Sequence, residues 1–275
     1  MVDRFERFLE TEDETVLVCI TSVEGSAPRE CDAMMLVSSA RIEGTIGGGQ
    51  LEFMAIERAR AMLKATERSA TMTVALGPEI GQCCGGRVGL SFDVLTADSR
   101  ADFLAQRAFD AETRPVVHIC GAGHVGRALA GLFVQMPVRT VLIDTRDAEL
   151  RLCRAPVERC LTAIPEAEIR GAEPRSAFII LTHDHALDFL LTSEALSRGD
   201  AAYVGLIGSA TKRTKFERYH ADQSARIGTH RLVCPIGTTG SGDKRPEVIA
   251  AFVAAEVMTA LTKRPDDTNL RLLSE

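Results

Sequence analysis

The apolar positions of this chain follow two different patterns, and the change from one to the other divides it. Phe5, Phe8 and Leu9 stand three and four apart among charged residues, the spacing of a short amphipathic helix. From Thr15 to Val23 β-branched residues crowd together as in a buried strand, until Gly25, Ser26 and Pro28 break the run. Met34 to Val37 predicts a second strand, which leads through Gly44, Thr45 and Ile46 into Gly47-Gly48-Gly49. Leu51, Met54, Ala55, Ala59 and Met62 then keep helical spacing, so a glycine loop feeds a helix. Thr71 to Leu76 predicts another strand, Gly77 to Gly86 a loop, and the alternation of Val88, Leu90, Phe92 and Val94 a half-buried strand.

Residues 98–114 are polar, carry charges of both signs and end at Pro115, which marks a linker with some helical content. Beyond it strand and helix alternate. Val116 to Cys120, Thr140 to Asp144, Ala177 to Thr182, Ala202 to Ile207 and Leu232 to Ile236 predict strands, with helical segments between several of them, which is the signature of a parallel sheet. Pro246 starts a closing helix with an almost wholly apolar face from Val248 to Leu261. The expected architecture is α/β: a smaller N-terminal α+β domain over residues 1–97, a linker over 98–114, and a doubly wound parallel sheet over 115–275.

Composition narrows the class. At 275 residues two separate cores are expected, and 45% hydrophobic with 25% charged residues supplies them without a disordered segment. A formal charge of −6 lacks the basic footprint that a nucleic-acid partner demands. Charges alternate near the N-terminus where a signal peptide needs an apolar stretch, and no 18-residue apolar run follows, so no membrane span and a cytoplasmic location are expected. There the eight cysteines stay reduced, and none of them shows Cys-x-x-Cys spacing. Each is then a small buried hydrophobe, a ligand or a reactive thiol.

Candidate chemistry gathers at glycines. Gly121-Ala122-Gly123-His124-Val125-Gly126 follows a predicted strand and opens a predicted helix, with Asp144 ending the next strand, as in the Rossmann-like dinucleotide fingerprint. Its glycines and helix N-terminus suit a phosphate, though a glycine turn kept for packing alone reads the same way. Gln82-Cys83-Cys84 lies between glycines, where thiolates would be accessible as soft-metal ligands; two packed cysteines are the plainer alternative. The turn containing Ser26 and Arg29 offers a guanidinium to an anion, and Gly47, Gly48 and Gly49 form a second candidate anion nest at a helix start. His183-Asp184-His185 follows a buried strand, with helix capping by Asp184 as the competing reading. Gly205, Gly208, Ser209, Lys212 and Arg213 repeat the strand–glycine–helix theme, and Cys19, Cys120, Cys153, Cys160 and Cys234 lie mostly in apolar runs as candidate core.

Taken together, Glu24 to Arg29, Gly44 to Glu52, Gly81 to Gly86, Gly121 to Leu129, Thr182 to Asp188, Gly205 to Arg213 and Pro235 to Gly237 resemble, in order and spacing, the XdhC/CoxI family of xanthine dehydrogenase accessory proteins. The resemblance implies a chaperone rather than an enzyme. It implies binding of molybdenum cofactor (molybdopterin), support of its sulfuration by a cysteine desulfurase, and delivery to apo xanthine dehydrogenase or a related molybdenum hydroxylase, from a homodimer. Carried onto this chain, Cys83 and Cys84 fall on the family's cysteine loop as the metal-facing thiols, Glu24 to Arg29 on its first turn, and Gly121 to Gly126 on its Rossmann loop, where a separate nucleotide is the other candidate ligand. The chain departs from the family at Asp32, preceded by Cys31, where a glycine is usual. Two rival readings stand beside this one: an NAD(P)-dependent oxidoreductase using the fingerprint and Asp144, and a scaffold that recruits desulfurase and dehydrogenase without touching cofactor.

Overall fold

The computed structural model describes residues 4–27, 29–31, 33–65, 67–77, 85–223, 228–238 and 240–263. Two compact units divide between Ala108 and Phe109. The first holds a five-stranded antiparallel sheet, β1 (Val16–Glu24), β2 (Met34–Val37), β3 (Ile42–Gly44), β4 (Ser69–Ala75) and β5 (Arg87–Val94), in the order β3-β2-β1-β5-β4. Alternation along the strands sends Val16, Val18 and Ile20 to one face, where they meet Leu51, Ala55, Ala59 and Met62 of α2 (Gly49–Lys64). The other face is covered by Phe5 and Phe8 of α1 (Arg4–Thr11), against Leu36 and Leu95.

Residues 98–114 are not a simple linker. They lie largely within a continuous helix, α3 (Ala97–Glu112), whose Phe103 and Leu104 pack on the cluster around Phe5 and Phe8. Polar side chains dominate its exposed surface, so a surface helix reads in sequence as a linker.

The second unit is a six-stranded, wholly parallel sheet formed by β6 (Val116–Cys120), β7 (Arg139–Asp144), β8 (Glu158–Leu161), β9 (Ala177–Ile180), β10 (Tyr203–Leu206) and β11 (Leu232–Val233). Its order, β11-β10-β9-β6-β7-β8, reverses direction between β6 and β9, the point at which doubly wound sheets present loops to a ligand. Two cores flank it. Val117 and Ile119 join Leu129 and Phe133 of α4 (His124–Phe133) and Val253 and Val257 of α9 (Pro246–Thr262). Val116 and Cys120 face Ile169 of α6 (Pro165–Gly171), Leu191 of α7 (His185–Ser197) and Phe216 of α8 (Ala210–Gln223). Each such fully buried large apolar side chain contributes about 1.5–3 kcal/mol. The last strand is shorter than Leu232 to Ile236 because Pro235 has no N–H to give the ladder.

His118 interrupts this apolar face. It is 7% exposed on the central strand, stacked on Phe178 at 5.1 Å, and neither ring nitrogen has a hydrogen-bond partner. Burial, reinforced by the Arg198 guanidinium, lowers its pKa to about 4. The folded protein therefore holds a neutral ring while the unfolded chain takes up a proton near pH 6.5. The stabilisation is complete above that value and is lost as pH falls toward 4, at about 1.4 kcal/mol per pH unit. Denaturant unfolding at pH 7 and pH 4.5 should show His118→Leu losing markedly less stability between the two than the parent; parallel losses would contradict the assignment.

Candidate functional site

The three glycines of the loop between β6 and α4 do different jobs. Gly121 has φ +128°, and a Cβ there would lie 2.4 Å from the Leu181 carbonyl oxygen. A Cβ on Gly126 would come within 1.9 Å of the Gly121 carbonyl oxygen. Both positions are reserved by packing of the loop upon itself and upon β9's extension. Gly123 differs: a Cβ there meets nothing within 4 Å, and it is the N-cap of α4 with no side chain filling that role. The helix thus presents bare N–H groups to open space, a ready anion position, with His124 exposed beside it.

Asp144, the residue expected to reach a ribose, is otherwise engaged. Its carboxylate accepts from the Ala122 amide at 2.7 Å, from the Arg146 amide at 3.0 Å, and from Arg146 Nε and Nη2 at 2.9 Å each. Burial alone would push its pKa up, but the Arg146 and Ala122 hydrogen bonds outweigh that and hold it below the ordinary carboxylate value. The cleft beside it, lined by Gly121, Thr145, Thr182, His183 and Leu187, has a cavity of about 10 Å³, room for one water. Asp144 therefore braces the glycine loop.

In the first unit, β1 and β5 remain paired to Glu24–Arg87, and beyond that pair Ser26 bridges Gly85. The approach is close enough that a Cβ on Gly86 would lie 2.2 Å from the Ser26 carbonyl oxygen, and Gly25 takes φ +75° with its own Cβ direction 3.3 Å from Gly86 Cα. Leu76 donates to Gly86 and Gly85 donates to Leu76, each at 2.7 Å. Both ends of the segment that carries the double cysteine are thereby pinned beside the Ser26 turn. Gln82, Cys83 and Cys84 themselves lie outside the described residues.

Gly47, Gly48 and Gly49 all have positive φ, at 129°, 80° and 64°. Their loop carries an anion already: Glu52 Oε2 accepts from Thr45 Oγ1 at 2.5 Å and from the Ile46 and Gly48 amides at 3.2 Å. This carboxylate, from the fourth residue of the helix, takes two of the loop amides, and Thr45 Oγ1 takes the Gly47 amide, so fewer donors are left for an outside ligand. Arg29 stands on the rim of a separate cleft that also contains Thr45.

Residues 117–257 match the XdhC Rossmann domain, more than half of the chain, and residues 8–75 match the XdhC and CoxI family. The chain belongs to the XdhC family. "Uncharacterized protein YqeB" of Escherichia coli (strain K12) is 26% identical to it over 257 residues, 90% of this chain and 43% of that protein, so the chain spans less than half of this relative. A solved structure described as a xanthine dehydrogenase from Bacillus halodurans aligns with a TM-score of 0.79 at 17% identity, covering 97% of this chain and 98% of that one. That likeness shows the shared α/β fold.

The remaining chemistry-bearing residues of this XdhC-family chain are mostly structural. Asp184 caps α7, accepting from the Ala186 amide at 2.7 Å and the Leu187 amide at 3.3 Å, while His183 and His185 point to solvent. One turn on, Asp188 is buried, accepts from both the amide and the hydroxyl of Thr182, and pairs with Lys212. Arg213 donates to the carbonyls of Leu232 and Cys234. The Asp188–Lys212 pair joins residues 24 positions apart, a proximity that only the fold creates. Cys120 is fully buried, and desolvation pushes its thiol up to about 12, the opposite of an activated thiolate. Cys153 and Cys234 are buried too, Cys19 and Cys160 only partly, and Cys31 is exposed. Among the described residues no three His, Cys, Asp or Glu side chains are grouped to hold a metal.

The division of labour among the loop glycines has a direct check. Gly126→Ala should destabilise the protein by about 3 kcal/mol through backbone overpacking, whereas Gly123→Ala, at φ −66° with open space around it, should cost about 1 kcal/mol or less. Denaturant unfolding of the two variants reads this, and equal losses would refute it.

Proposed function

We propose that this chain is a carrier for the molybdenum–pterin cofactor, which it binds, holds during sulfuration by a cysteine desulfurase, and hands to apo xanthine dehydrogenase or a related molybdenum hydroxylase. Membership of the XdhC family suggests a role in xanthine dehydrogenase maturation; the finer assignment rests on chemistry. The observation that carries it is the Ser26–Gly85 bridge with its closed glycine contacts, which holds residues 85 and 86 beside the Ser26 turn, while the Leu76 hydrogen bonds to Gly85 and Gly86 bring the other end of the double-cysteine segment to the same place. Cys83 and Cys84 supply soft sulfur donors suited to molybdenum, and the sequence sets glycines, which carry no side chain, on both sides of them. The open N-terminus at Gly123 fits a phosphate, a group this cargo has.

The chain's part in this reading is retention without chemistry. It grips an oxyanion by amides or guanidinium groups and a metal by thiolate, through few contacts, so that release to the recipient stays possible. In the same reading it works as a cytoplasmic homodimer, and among the described residues no helix is long and apolar enough to cross a membrane. The oxidoreductase alternative needs the Asp144 carboxylate for a ribose, and that carboxylate is occupied by Ala122 and Arg146.

Anaerobic purification from cells that make molybdopterin, with molybdenum and pterin quantified, tests the proposal. Near-stoichiometric cofactor is expected with the parent chain and at least a tenfold drop with Cys83→Ala/Cys84→Ala, given about 1.4 kcal/mol per decade of affinity. Undiminished cofactor in the double variant, or none in the parent, would overturn it. A double variant that still supports full dehydrogenase activity would favour the scaffold reading instead.

A further inference from the structure

Each of the two sheets ends in two outer strands, and three of those four edges are blunted. β3 has three residues, and its Glu43 is paired with Arg4 at 3.3 Å. β8 carries Glu158 and Arg159, and β11 has two residues, ending two positions before Pro235. Short length, charge and proline are the devices that keep a sheet edge from adding a further strand. β4 has none of them: from Ser69 to Leu76 the chain runs for eight residues without a charge, a proline or a glycine.

The register with β5 fixes which backbone groups of β4 point outward. The two strands pair antiparallel without a break from Ser69 opposite Asp93 to Ala75 opposite Arg87. In that register Leu76 donates to Gly86 and Arg68 accepts from Val94, so the even-numbered residues bond β5. Ser69, Thr71, Thr73 and Ala75 therefore turn their N–H and C=O groups to the free edge, and none of these groups has a partner among the described residues. The same four residues are exposed, with their side chains on one face of the sheet.

We infer that β4 is a dimer interface, at which a second copy of the chain adds its own β4 antiparallel to the first and extends the sheet from five strands to ten. Self-complementarity selects a second copy as the occupant. The strand centres on Met72, and a two-fold axis there sets Thr71 opposite Thr73, and Ser69 opposite Ala75, of the second copy. All four outward-turned residues then fall in hydrogen-bonded pairs. Because the strand is uncharged, the axis brings no like charges together, and opposed threonines suit a pleated surface. Ala75 of the two copies stand six positions apart along the strand, about 20 Å, so the two hairpin ends stay separate. This deepens the homodimer of the carrier reading by naming its surface, and rests on that reading only for the dimer's use.

Sedimentation equilibrium of the full-length apo-protein, free of molybdenum, over a concentration series tests the interface. A reversible monomer–dimer equilibrium is expected. Thr71→Lys/Thr73→Lys, which opposes like charges in this register, should weaken dimerisation by about tenfold or more. Thr73→Pro removes one outward N–H, leaves the β5 ladder intact and should act in the same direction. Thr71→Lys/Thr73→Glu sets opposite charges across the same pairs and should stay within about threefold of the parent. Both positions are exposed, and if the proline variant loses its fold by circular dichroism the two charge variants still decide. A parent that is monomeric at every concentration, leaving the edge to a strand of another protein, would overturn the inference. So would a dimer indifferent to the double-lysine variant, or one weakened equally by both charge variants. Failure of cofactor to co-purify would leave a β4 dimer intact, and a monomer that binds cofactor would leave the carrier role intact, so the two conclusions can fail separately.

Discussion

At the end of the antiparallel sheet two backbone segments lie so close that a hydrogen atom is all the space between them permits. The Gly86 α-carbon faces the carbonyls of Ser26 and Glu24 at distances no Cβ tolerates, and Ser26 bridges Gly85 on the same side. A side chain at position 86 would force the turn and the hairpin apart. Because the Leu76–Gly86 and Gly85–Leu76 hydrogen bonds close the hairpin from the other side, the double-cysteine segment begins and ends at a fixed place beside the Ser26 turn. Any role for Cys83 and Cys84 in holding cargo depends on that anchoring, since thiols on an unanchored loop would spend binding energy on ordering it.

The parallel-sheet unit uses the same device at its switch point. Gly121 and Gly126 are consumed by the chain's contact with itself, and Gly123 alone keeps its outward space. Asp144 then shows how a dinucleotide frame is put to another use: instead of awaiting a ribose, its carboxylate ties the loop amide of Ala122 to the Arg146 guanidinium. An acid committed to internal hydrogen bonds would have to break them to bind a nucleotide, at the cost of stranding a buried amide. The loop at Gly47 to Gly49 repeats the theme, with Glu52 accepting from the Ile46 and Gly48 amides and Thr45 Oγ1 from the Gly47 amide. Both glycine loops are thus braced by a carboxylate of the chain itself, Asp144 in one and Glu52 in the other, and the first also keeps open space at Gly123.

Much of this architecture could be read from the chain. Five of the six parallel strands and the central antiparallel ones follow from runs of apolar and β-branched residues, because burial on both faces or on one leaves a period that sequence records. Strand β8 carries no such period, because Glu158, Arg159 and Leu161 are exposed at a sheet edge. Strand β3, three residues long, is too short to carry one. Asp184 as a cap was legible because capping is local, acting over two or three residues. The Asp188–Lys212 pair was not, since it depends on folded proximity between distant positions. The preference of Asp144 for Arg146 over a ligand is likewise a matter of geometry: the same residue at the same strand end serves either purpose.

The central claim, that the pinned cysteine segment meets the cargo, is tested most directly by thiol footprinting. Cofactor-loaded and cofactor-free protein would be alkylated briefly under anaerobic conditions and the extent of modification read at each cysteine by mass spectrometry, with exposed Cys31 as the internal control. The account predicts that Cys83 or Cys84 is protected in the loaded protein while Cys31 reacts equally in both. Equal modification of Cys83 and Cys84 with and without cargo would contradict it.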